Sequence, residues 1–102
     1  MTNKEALQSM TEYYNENLLL KILIDHGVVT SGTYAAADER VIDLCAADLY
    51  GVLVGHPELK EGSQLMKFNA GQLRSMRKEI LKKYGLHDDV VKSYLDSGDS
   101  LW

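Results

Sequence analysis

TYAAADERVIDLCAADLYGVLV, residues 33–54, is the longest stretch of this chain whose apolar residues keep a helical period. Val41, Leu44, Cys45, Leu49, Val52 and Leu53 recur at three- and four-residue intervals, which places them as one core-facing stripe. Thr33 is the expected cap, and the helix is expected from Tyr34 to about Val54. Ala35, Ala36 and Ala37, with Ala46 and Ala47, leave room for neighbouring helices to approach closely. Gly55, His56 and Pro57 close the element, because a proline there lacks the N–H that a continuing helix needs.

Working back toward the start, Thr2 and Glu5 have the spacing of a capping box and open a short helix through about Met10. Asn15 or Asn17 caps a second, Leu18 to His26, stopped by Gly27. Forward from Pro57, residues 58–63 form a polar loop, and Gln64-Leu65-Met66-Lys67-Phe68 alternates weakly, as a short strand or extended arm would. Asn69 and Gln72 repeat the capping-box spacing. Leu73, Met76, Ile80 and Tyr84 then mark one face of a fourth helix, which Gly85 ends. Asp88 or Asp89 caps a last short helix through about Leu95. The expected fold class is all-α: a small bundle of four to five helices with a short extended segment near residues 64–68. A single domain over residues 1–95 is followed by an acidic tail, 96–102, that ends in Leu101 and Trp102.

Charge is unevenly spread along this frame. Lys67, Arg74, Arg77, Lys78, Lys82 and Lys83 lie within residues 64–83 against Glu79 alone, a local +5 in a chain of net −4. A segregated cationic element favours docking to an oppositely charged surface or lying along a polyanion. Arg74, Arg77, Lys78 and Lys82 are expected on the flanks and outer side of the fourth helix, with Lys82 and Lys83 at the negative end of its dipole.

The remaining residues speak against chemistry. His26, His56 and His87 each sit beside a helix-ending glycine, with none of the spacings that gather metal ligands. Asp38, Asp43 and Asp48 recur every five residues, which spreads them around a helix as solvated groups; Asp48 alone is a candidate for partial burial, paired with Arg40, Arg74 or Arg77. Cys45 lies mid-helix on the apolar stripe, where it acts as a small hydrophobe. Its being single excludes an internal disulfide and fits a reducing compartment. No glycine pattern matches a phosphate-binding loop, and no serine has the surroundings of a hydrolase elbow. The first residues lack the apolar core of a secretory signal, so a soluble, intracellular, non-enzymatic protein without cofactor is expected.

The order of elements resembles the head–tail connector (adaptor) proteins of tailed bacteriophages, of the prophage type. The likeness is carried by Ala37-Asp38-Glu39-Arg40-Val41-Ile42-Asp43-Leu44 and Ile80-Leu81-Lys82-Lys83-Tyr84-Gly85, within a layout covering residues 1–90. The resemblance implies a structural virion protein of the neck, assembled in the host cytoplasm into a ring of about a dozen subunits through head-to-tail contacts. It implies docking on a portal protein, contact with other neck or tail proteins, and DNA passing through the channel without sequence-specific binding. On this reading Lys67, Arg74, Arg77, Lys78 and Lys82 belong to the subunit interface. Tyr94, Leu101 and Trp102 are the positions for docking on the portal or a neighbouring ring. The alternative is a small helical regulator or adaptor that binds protein or DNA through the basic helix, residues 70–84.

Overall fold

The structure, a computed structural model, describes residues 1–60 and 63–86. Within them the chain is a helical bundle: α1 (Asn3–Thr11), α2 (Glu16–Asp25), α3 (Glu39–Gly55) and α4 (Ala70–Lys83), joined by short 3-10 turns. The stripe read from residues 33–54 makes α3 the centre, with α1, α2 and α4 all packed against it. Its Ile42, Cys45, Ala46, Leu49 and Leu53 meet Leu7 of α1, Leu19 and Leu23 of α2, and Leu73 of α4. Tyr13, Leu65 and Tyr50 complete the core.

Local chemistry sets the helix ends. Thr2 and Glu5 form the expected capping box, Asn15 accepts from the Leu18 amide, and Asn69 and Gln72 cap α4 reciprocally. Gly27 and Gly85 take positive φ (72° and 69°), which stops α2 and α4 where a residue with a Cβ would be strained.

Two local expectations change. Thr33 does not cap the long helix. It pairs in extended conformation with Thr2, while the Asn3 amide donates to the Gly32 carbonyl (2.8 Å) and that of Lys4 to the Thr30 carbonyl (3.1 Å). The loop before α3 is thus used to satisfy the free amides of α1. The long helix opens later, through a 3-10 turn over Ala36–Asp38 in which the Asp38 carboxylate accepts from the Ala35 amide (2.9 Å).

Residues 64–68 are not a strand either. Gln64–Lys67 is a 3-10 turn, with Ser63 accepting from the Leu65 amide and its own hydroxyl donating to the Glu12 carbonyl at the end of α1 (2.8 Å). Three residues per turn aligns Leu65 with Phe68, the two apolar members of the stretch, and both pack on the core. A strand would have put Leu65 on the face of Lys67 instead.

Candidate interaction surface

The cationic element divides once it is folded. Leu73, Arg77 and Leu81 form the buried face of α4, and Arg74, Lys78 and Lys82, at four-residue steps, make an exposed row on another side.

Arg77, expected on the flanks and outer side of α4, is instead drawn inward. Only 7% exposed, it points into the bundle and its Nη1 donates to the Ala47 carbonyl of α3 (2.8 Å). The same nitrogen lies 3.8 Å from Asp48 Oδ1, and Asp48 Oδ2 is 2.5 Å from His26 Nε2 at the end of α2. One polar seam therefore joins three helices. Asp48 has Arg77 as its arginine partner, one of the three open choices, and His26 is held in that seam in addition to standing at a helix end. Gly51 makes the seam possible, since a Cβ there would stand 2.9 Å from Arg77 Nη1.

A second cluster pins the other end of α4. Lys83 donates to Glu39 (2.9 Å) and Asp43 (3.2 Å), and the Tyr84 hydroxyl donates to the same Asp43 oxygen. Asp43, read from its spacing as solvated, is buried because this lysine and tyrosine supply its partners. Lys83 is held above its ordinary range, chiefly by the Glu39 and then the Asp43 carboxylate. The Tyr84 hydroxyl is raised by its hydrogen bond to Asp43. Arg40 lies over the Tyr84 ring, 5.7 Å from its centroid.

What remains at the surface is Lys67 and the Arg74–Lys78–Lys82 row. Lys67 sits over the Phe68 ring (5.4 Å) and borders a shallow, open depression lined by Tyr14, Ser63, Gln64 and Met66. The row makes no ion pair or hydrogen bond with any described residue. Tyr94, Leu101 and Trp102 lie outside the described residues, as does the expected last helix.

The interior offers little chemistry. Burial, with the Asp48 charge adding to it, pushes the Cys45 thiol up to about 12, so the nucleophilic thiolate is scarcely formed at neutral pH. Among the described residues no three His, Cys, Asp or Glu side chains converge to hold a metal ion. No helix among them is long and apolar enough to cross a membrane.

Residues 1–102, the full length of the chain, match a family of unknown function, DUF6706. The chain belongs to that family. No curated protein and no solved structure matches it.

Proposed function

We propose that this DUF6706 protein is a structural virion component, a non-enzymatic head–tail connector whose subunits form a ring that docks on a portal and lets DNA pass. The observation that carries the reading is the exposed Arg74–Lys78–Lys82 row, three cations at four-residue steps without an ion-pair or hydrogen-bond partner among the described residues, on a chain of net −4. A ring needs head-to-tail contacts between two different faces. A cationic row on an otherwise acidic subunit supplies one such face, and exposed acids elsewhere, Glu12 and the Glu16, Asp25 and Glu58 that pair with Lys4, Lys21 and His56, are the anions available to meet it. The row stands on a helix fixed at both ends by the capping box and the Asp43 cluster, which suits a rigid docking surface. Residual acidity would repel phosphates from a channel wall. The resemblance to connector proteins carried by residues 37–44 and 80–85 points the same way, although the extended segment it also drew on, residues 64–68, is a 3-10 turn.

Electron microscopy of the protein, alone and mixed with portal rings, tests it. Ring-shaped particles, or monomers that join the portal as an added tier, are expected. Failure of both, together with tight duplex binding that weakens steeply with salt and is lost on reversing Arg74 and Lys78, would establish the DNA-binding alternative in its place.

A further inference from the structure

The row that the described residues leave unpaired has a segment of complementary charge in the same chain. Residues 87–102 carry Asp88, Asp89, Asp96 and Asp99 against Lys92 alone, and end in Leu101 and Trp102. We propose that this segment docks in cis, its aspartates along Arg74, Lys78 and Lys82 and its apolar end in the depression at Tyr14, Met66 and Lys67. The inference rests on reading the row as a receptor for acidic surface, and it adds that the free protomer occupies that receptor with its own chain.

The path begins well placed. Gly85 turns the chain at the end of α4 and the Leu86 amide donates back to the Leu81 carbonyl (2.8 Å). Leu81 lies one helical turn from Lys78 and two from Arg74, so the chain leaves the helix beside the cationic row. From Arg74 to Lys82 is ~12 Å along the axis, whereas the segment beyond Leu86 can extend over roughly 50 Å. It therefore reaches past the start of α4 to the 3-10 turn that carries Met66 and Lys67. There Tyr14 and Met66 are 60% and 56% exposed beside Ser63, Gln64 and Lys67, and give a leucine and a tryptophan apolar area to cover. Tethering gives the chain's own segment a high effective concentration, which favours it over the tail of a second copy. An acidic neighbour must then displace the tail, and displacement frees Leu101 and Trp102 at the moment of assembly.

Trp102 is the only tryptophan, so its fluorescence in the full chain, without any partner present, reports where the tail end lies. At low salt the emission is expected to be blue-shifted and shielded from acrylamide. The triple variant Arg74→Glu/Lys78→Glu/Lys82→Glu, or high salt, should shift it to the red and raise quenching severalfold. Asp88→Asn/Asp89→Asn/Asp96→Asn/Asp99→Asn should do the same without touching α4, with helical circular dichroism confirming that each variant is folded. The emission should not change on dilution. A fully water-exposed Trp102 in the wild type, an emission that neither variant moves, or one that shifts with dilution overturns the proposal. Because no portal or ring enters the measurement, that failure leaves the connector reading standing, and failed assembly would leave the cis contact standing.

Discussion

At Gly51 the missing side chain lets the Arg77 guanidinium lie against α3. Glycine in a helix interior ordinarily costs about 1 kcal/mol relative to alanine. Gly51→Ala should nevertheless destabilise the protein, because the new Cβ displaces a guanidinium held by Ala47 and Asp48. Arg77→Ala should cost about 1–3 kcal/mol through the lost charge-assisted hydrogen bond. In the Arg77→Ala background, Gly51→Ala should change sign and stabilise by up to ~1 kcal/mol. Urea unfolding of the four proteins measures the cycle, and additive effects would mean that glycine and arginine act independently. Arg74→Ala, three residues away and exposed, should stay within about 0.5 kcal/mol of wild type.

The Asp43 cluster makes a prediction about alkali. Lys83 and Tyr84 both have folded-state values raised above the ordinary 10.5 and 10.0. Groups raised in this way contribute stability that is fully present below their unfolded values and is lost as pH rises through the folded ones. Stability should therefore fall above about pH 10, and Tyr84→Phe should flatten part of that fall. Thermal melts against pH decide the matter; identical alkaline slopes for wild type and variant would remove Tyr84 from the account.

At the scale of elements, α4 depends on its cap. Asn69→Ala should cost about 1 kcal/mol, read as a lowered urea midpoint with an unchanged slope; no loss would show that tertiary packing alone fixes the helix start. α2 and α4 were legible in the chain because stripe, cap and glycine stop agree, Asn15 with Gly27 and Asn69 with Gly85, and α1 because Thr2 and Glu5 form its capping box. The start of α3 was not, because Thr33 is taken by a pairing with Thr2 that is thirty-one positions away in sequence. Residues 64–68 were misread from an alternation; the three-residue spacing of Leu65 and Phe68 was the usable signal. Of the candidate surface, Arg74, Lys78 and Lys82 were placed correctly by period alone. Arg77 was not: its side chain is drawn inward by a carbonyl and a gap at Gly51, neither of which helical spacing reveals. Asp43 escaped for the same reason, its partners lying forty and forty-one residues away.

For the whole molecule, folding sorts the charge that composition only counts. Arg77 and Lys83 are spent on holding α4 to α3, and Arg74, Lys78 and Lys82 are left facing outward on a net-acidic chain. The central claim is that this row is a contact made between proteins. The most direct test compares the particle mass of wild type with that of Arg74→Glu/Lys78→Glu/Lys82→Glu, each mixed with portal rings, after circular dichroism has shown equal helical content. The account predicts ring-sized or portal-bound assemblies for wild type and folded monomers for the variant. Equal assembly by both proteins would contradict it.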